Sequence, residues 1–309
     1  MEFIIFIAAM AALIYGADFI IKESERIALH YGISHFVIGA TLIGFGTSLP
    51  EMAASMTASL YGKADMAVAN VIGSITFNIT LILGIVFLLA KQMRPERDLF
   101  NKDSAWILFP VAVFLLMGYD GVISRVDGAM FVLLMAAYLY FLFSSDGDLS
   151  DGVDEALEKE RFKWGRTLLL LGVGFVMTIG GAHYVVESGS AIARMLGVSE
   201  WLIGLLLISL GTSLPELVVS LVALKKGNAD MSIGNIIGSN VANFSMVLGG
   251  AAVLRPLPVS TANAYDVYIM AAASLALLLI IANKLYNKAG AFFLLMILAL
   301  FLQNALAGA

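Results

Sequence analysis

Residues Gly46-Thr47-Ser48-Leu49-Pro50-Glu51 recur letter for letter as Gly211-Thr212-Ser213-Leu214-Pro215-Glu216. Each copy sits in the middle of a long apolar segment. Hydrocarbon offers a carboxylate no water, so a Glu at that depth is costly and marks a functional position. Pro donates no N–H and clashes with the carbonyl four residues back, so each motif should interrupt its helix and free the Gly46 and Gly211 carbonyls. Broken backbone is tolerated in a bilayer only where protein or a polar cavity surrounds it. Carboxylate, hydroxyls and freed carbonyls are hard oxygen ligands, and together they describe a cation site.

The rest of the chain agrees with a membrane setting. Of 309 residues 60% are hydrophobic and only 13% charged, with a mean hydropathy of +0.92. Soluble domains are nearer half apolar and a quarter charged, so the class is an all-α polytopic membrane protein with the lipid bilayer as its partner. Cysteine is absent, which excludes disulfides and thiolate metal sites. A net charge of −5 without a basic patch excludes nucleic acid. The first positive charges, Lys22 and Arg26, follow the first apolar run, which reads as an uncleaved first helix with its N-terminus outside.

A spanning helix needs about 20 mostly apolar residues. Ten candidates result: 2–21, 35–61, 66–90, 104–120, 127–144, 166–190, 200–224, 231–253, 263–283 and 289–306. With the N-terminus outside, fourteen Lys and Arg, from Lys22 to Lys288, fall in cytoplasmic loops. Only Lys63, Arg125, Arg194 and Arg255 fall outside. That bias fits the positive-inside rule and places both termini outside.

A constant shift of 165 aligns Ile38–Gly84 with Ile203–Gly249, and about half of those positions are identical. Two five-helix repeats follow, 1–144 and 166–309, carrying the motif regions 38–84 and 203–249. An odd number of spans per unit inserts the second repeat upside down, the layout of secondary transporters. Residues 145–165 form a cytoplasmic linker. Its acidic start invites an EF-hand reading, but counting from Asp146, position six is Asp151 rather than Gly and position twelve is Leu157 rather than Glu. A solvated linker remains.

Helical spacing puts Thr47, Ser48 and Glu51 within one turn, and Ser74 and Asn78 four apart on the next span. The second half repeats this with Thr212, Ser213 and Glu216, then Ser239 and Asn243. The inventory suits Ca²⁺, which takes six to eight oxygens, whereas thiolate and imidazole metals are disfavoured. Taken alone, Ser74 and Ser239 would be read as packing hydroxyls, and Gly39, Gly44, Gly73, Gly204 and Gly238 as close-packing positions. Asp65 and Asp230 read as helix N-caps. Asp18 can line a path or pair near the interface.

The paired Gly-Thr-Ser-Leu-Pro-Glu motifs, each followed by Gly-Ser-x-x-x-Asn, resemble the two alpha repeats of the cation/Ca²⁺ exchanger superfamily, in particular its prokaryotic sodium/calcium exchangers. The resemblance implies ten helices, a central group of ion sites and antiport of Ca²⁺ against Na⁺ by alternating access, with those ions as substrates and no cofactor. Carried over, the ligands are Thr47, Ser48, Glu51, Ser74 and Asn78, then Thr212, Ser213, Glu216, Ser239 and Asn243, with backbone carbonyls from Gly44 and Ser209. Two positions depart from the pattern. Asn243 stands where some microbial members carry Asp, and Ile75 follows Gly73-Ser74 where Gly-Ser-Asn is common.

No phosphate-binding Gly-x-x-x-x-Gly-Lys-Ser/Thr motif occurs, so ATP is not the evident energy source. Secondary antiport leads. H⁺ as counter-ion stays open, because a desolvated carboxylate can trade a proton for Ca²⁺, although the hydroxyl-rich motif favours Na⁺. A cation channel is the reading from another class, and the two-fold repeat argues against an open pore. No His lies near either Ser at a plausible depth for hydrolase chemistry, so no catalytic residue is expected.

Overall fold

The computed structural model describes residues 1–90, 93–144, 162–197, 209–259 and 264–307. In chain order the helical elements are α1 (Glu2–Tyr31), α2 (His35–Thr47), α3 (Leu49–Leu60), α4 (Ala64–Leu89), α5 (Leu99–Asp120) and α6 (Arg125–Ser144). They continue as α7 (Trp164–Met195), α8 (Ser209–Gly211), α9 (Leu214–Lys225), α10 (Ala229–Leu254), α11 (Ala264–Ala282) and α12 (Lys288–Ala307). One short antiparallel pair, β1 (Val122–Ile123) with β2 (Leu257–Pro258), ties Val122 to Pro258 and Ile123 to Leu257.

Seven of these helices (α1, α4, α5, α6, α7, α10 and α11) are long and apolar enough to cross a membrane, and α2 with α3 forms a bent pair that would make eight. A shorter apolar stretch, Lys288–Asn304, lies in α12. The first nine residues of the expected span 200–224 lie outside the described residues, and α8 and α9 cover most of the rest. The linker residues 145–161, and the EF-hand question with them, also lie outside.

Helix α1 runs ten residues past the expected end at 21, to Tyr31. The apolar run stops where Lys22, Glu23, Glu25 and Arg26 begin, but the helix does not. Glu23 and Arg26 pair at 2.6 Å one turn apart, which supports the helical continuation. Its end is a Gly32 in the left-handed region (φ 65°), whose N–H bonds the Ala28 carbonyl.

The described residues divide into two compact units that do not follow the sequence repeats: Met1–Thr47 with Ser145–Asn235, and Ser48–Ser144 with Ile236–Ala309. In the first unit α1 lies along α7 through a seam of small residues. A Cβ on Gly16 would stand 2.6 Å from Thr178 Oγ1, and one on Gly181 would stand 2.7 Å from the Leu13 amide nitrogen. Ala17, Ile20, Ile21, Ile43, Val219, Ala223 and Met231 form the core beside it. Helix α2 meets the start of α10 equally closely: a Cβ on Gly39 would be 2.6 Å from the Met231 carbonyl.

The backbone of Leu13 cannot swing aside as a side chain could. Gly181→Ala is therefore expected to force α1 and α7 apart at a cost of about 1–3 kcal/mol, read as a lower melting temperature of the purified protein. Gly172→Ala, on the same helix with nothing within 4 Å, is the control and should lose no stability.

In the second unit, α3 packs on α4, α4 packs on α11, and α6 packs on the last turns of α10. A Cβ on Gly128 of α6 would be 2.8 Å from the Gly249 carbonyl. Helices α4 and α10 are the most enclosed, with 78% of the spanning window of each buried against 33% for α1, α5, α6 and α7. Such helices belong in the interior, and the sparsely buried ones face lipid. Exposed Ile4, Ile7, Phe109, Leu133, Leu169 and Val176 supply that lipid-facing surface.

Candidate ion site

Both hexapeptides break their helix between the Gly and the Leu. Helix α2 ends at Thr47, Ser48 is a turn, and α3 starts at Leu49 with Pro50 in its first turn. The second copy matches: Thr212 and Ser213 form the turn and α9 starts at Leu214 with Pro215 in its first turn. A first-turn Pro loses no hydrogen bond, because the N–H it lacks would be unpaired there anyway. Glu51 and Glu216 consequently sit in the first turn of a new helix. The amide dipoles at a helix start turn their positive end toward a side chain placed there.

The expected ligand residues are almost all buried. Thr47, Ser48, Glu51, Ser74, Asn78, Ser213, Glu216, Ser239 and Asn243 are each at most 4% exposed. Gly44 is buried in the last turn of α2, and Thr212 is half-buried. Ser209 opens α8. Within the second unit, α3 carrying Glu51 packs on α4 carrying Ser74 and Asn78, and both pack on the α10 turn that begins at Asn243. Within the first unit, α9 carrying Glu216 packs on α1, α7 and the end of α2 that carries Thr47.

Asn78 and Asn243 each open a stretch of π-helix, Asn78–Ile82 and Asn243–Leu248. A third lies at Gly39–Ile43 in α2. Such wide turns loosen the regular backbone ladder and cluster at functional positions. Neither amide is fully used. Asn78 gives its Nδ2 hydrogen to Asn240 Oδ1 at 3.1 Å, but its Oδ1 accepts nothing, and both Oδ1 and Nδ2 of Asn243 lack a hydrogen-bond partner. A buried polar atom left unpaired costs about 1–3 kcal/mol. Among the described residues no group of three or more His, Cys, Asp or Glu could hold a metal ion.

Several sequence expectations change. Gly73 is not a packing contact, since a Cβ there would meet nothing within 4 Å. Asp65 and Asp230 are not N-caps, because each lies inside the first turn of its helix and Lys63 holds the cap position before Asp65. Asp18 is an ion-pair hub: Lys226 approaches Oδ1 at 2.7 Å and Lys22 approaches Oδ2 at 2.9 Å. Asn228 adds a hydrogen bond to Glu25 at 3.2 Å, so the end of α9 is fastened to α1.

Two further asparagines hold the motif. Asn70 donates to the Glu51 carbonyl at 3.2 Å and to Ser55 Oγ at 2.8 Å. Asn235 donates to the Glu216 carbonyl at 3.3 Å and to Ser220 Oγ at 2.9 Å. Both asparagines and both serines obey the 165-residue shift. Their exact recurrence at buried or half-buried polar positions is the signal that identifies them.

Comparison with known proteins bears on this arrangement. The family model described as sodium/calcium exchanger protein matches residues 1–144 and 166–306. An uncharacterized membrane protein of Methanocaldococcus jannaschii is 34% identical over 297 residues, covering 96% of this chain and 94% of its own. The sodium/calcium exchanger MaX1 of Methanosarcina acetivorans is 30% identical, with 91% of each chain covered. Among solved structures, the sodium-calcium exchanger NCX_Mj soaked with zero Na⁺ and Ca²⁺ superposes with a TM-score of 0.83 at 30% identity, covering 98% of both chains.

Proposed function

Because this chain belongs to the sodium/calcium exchanger protein family, whose members are membrane transporters rather than enzymes, we propose that it exchanges Ca²⁺ for Na⁺ by alternating access. The substrate ions are held by the side chains of Thr47, Ser48, Glu51, Ser74 and Asn78 and by those of Thr212, Ser213, Glu216, Ser239 and Asn243. The Gly44 and Ser209 carbonyls complete the set. The observation that carries this reading is Asn243, a fully buried amide in a π-helical turn with neither polar atom bonded. An ion arriving with a water molecule would satisfy both atoms and return the cost of leaving them bare.

The family and the 165-residue shift support ten spans arranged as two inverted repeats, with both termini outside on the charge bias. Two carboxylates neutralise one Ca²⁺ or two Na⁺, so the same oxygens can serve either ion in turn. Emptying the cage exposes two buried charges to a dry interior, which is costly. Only a loaded carrier therefore crosses between its two states, and that condition couples the ions. The close seam between α1 and α7 supports their moving as one gate.

Radiolabelled Ca²⁺ uptake into proteoliposomes preloaded with Na⁺, K⁺ or only a proton gradient tests the proposal. Uptake that requires internal Na⁺ is expected. Uptake driven by protons in Na⁺-free medium would replace Na⁺ by H⁺ as counter-ion, and unitary currents without counter-ion dependence would make the protein a channel.

A further inference from the structure

We infer that a cavity beside the ends of α4 and α11 holds the headgroup of an aminophospholipid, its phosphate on Arg94 and Lys284 and its primary ammonium toward Asp98. The inference stands apart from the ion-exchange reading, since it involves neither hexapeptide.

The connectors that follow α4 and α11 enclose a cavity of about 670 Å³, within the size range of small-molecule sites. Arg94, Arg97 and Asp98 line it from the first connector, and Lys284 and Tyr286 from the second. It lies where α4 ends at Leu89 and α11 at Ala282, and where α5 and α12 begin. At such helix ends hydrocarbon gives way to lipid headgroups. The wall is amphipathic to match. Met93, Leu99 and Ile281 are buried in it and Phe100 presents an apolar ring that is 45% exposed, whereas Arg94, Asp98 and Lys284 are exposed. A molecule with a charged head and an apolar body fits both parts.

Two cations at this cavity are spare. Arg97 is matched by Asp103, but Arg94 has no hydrogen bond or ion pair among the described residues. Lys284 acts on Asp98 through space, with no ion pair joining them. Lys284 is also, among the described residues, the one non-Gly residue in the left-handed region, at φ 52°. Its N–H bonds the Ile281 carbonyl and that of Leu285 bonds the Ile280 carbonyl, a helix end that Gly usually supplies. A side chain there adds strain that Gly would avoid, and the cavity gives its ammonium a use.

Charge balance selects the headgroup. With Arg97 matched, the lining cations Arg94 and Lys284 face the lining anions Glu96 and Asp98, which suits a zwitterion better than a net anion. Hydrogen bonds from Asn101, joined by the charge of Lys284, hold the Asp98 carboxyl below its usual range, so it is ionised at neutral pH. A primary ammonium can donate hydrogen bonds to that carboxylate, and a quaternary choline cannot.

The test is the melting temperature of the purified full chain in detergent with dioctanoyl phosphatidylethanolamine, phosphatidylcholine or phosphatidylglycerol, or with water-soluble O-phosphoethanolamine. Phosphatidylethanolamine at about ten times its dissociation constant is expected to raise it by about 2–4 °C, and the other three compounds to raise it less. Arg94→Gln and Lys284→Gly should each lose most of that shift. Because Gly suits the backbone at 284, the melting temperature of Lys284→Gly without lipid should not fall, which separates a lost ligand from a damaged fold. A shift that survives in both variants overturns the inference. An equal shift from phosphatidylcholine overturns the role of Asp98, and a larger one from phosphatidylglycerol overturns the zwitterion assignment. An equal shift from O-phosphoethanolamine overturns the lipid as its source. If Arg94→Gln does not fold, Lys284→Gly decides alone.

Discussion

Glu51→Gln and Glu216→Gln are each expected to reduce Na⁺-driven Ca²⁺ uptake by roughly 10²–10³-fold, the equivalent of about 3–4 kcal/mol for removing one partner of a buried ionic contact. Both carboxylates are essentially inaccessible, at 1% and 0% exposure, and both sit in the first turn of a helix. Gln keeps the shape and one oxygen but removes the charge that balances a divalent ion. Because the side-chain volume hardly changes and the N-terminal turn is held through the backbone by Asn70 or Asn235, the variants should fold. Initial-rate uptake normalised to reconstituted protein is the measurement. Near-normal exchange in both variants would remove these residues from the ion path.

The second large effect concerns stability rather than transport. Arg97 meets Asp103 of α5 through two bonds, Nε to Oδ2 at 2.6 Å and Nη2 to Oδ1 at 3.1 Å, with side-chain exposures of 6% and 0%. This planar two-bond match is the strongest arrangement open to an Arg and a carboxylate. Trp106, one turn further along α5, packs tilted against Tyr138 with ring centroids 5.0 Å apart, so the pair lies at the edge of an aromatic cluster. Asp103→Asn strands a buried guanidinium and is expected to cost about 3–5 kcal/mol. Arg97→Met/Asp103→Leu, which removes both charges, should recover most of the loss, because desolvation of the pair offsets much of its attraction. Melting temperatures in detergent compare the three proteins. Equal loss in the single and double variants would show that the ion pair itself, not the stranded charge, carries the stability.

The functional core could be read from the sequence because its chemistry is rare in a bilayer. A carboxylate after Ser-Leu-Pro, repeated at a fixed distance, has few structural excuses. The helix break at Ser48 and Ser213 followed from Pro50 and Pro215 on steric grounds, although the structure restarts a helix there instead of kinking one. What could not be read depends on partners distant in sequence. Asp18 could either line a path or pair near the interface, and Lys226, distant in sequence, decides for pairing; Asn235 gained meaning only when the Glu216 carbonyl and Ser220 were placed beside it. Gly73 was misread because a small residue in a membrane helix usually marks close packing, yet open space lies beside it. The extent of α1 was underestimated because hydropathy ends at Lys22, whereas backbone hydrogen bonding and the Glu23–Arg26 pair carry the helix on to Tyr31. The π-helical turns at Asn78 and Asn243 have no sequence signature at all.

The central claim is that Ca²⁺ and Na⁺ compete for one buried set of oxygens in this chain. Equilibrium binding of radiolabelled Ca²⁺ to the purified protein, with Na⁺ titrated at constant ionic strength, tests it most directly. Saturable binding is expected that Na⁺ displaces and choline does not, and that Glu51→Gln and Glu216→Gln lose. Binding that ignores Na⁺, or that survives in both variants, would contradict it.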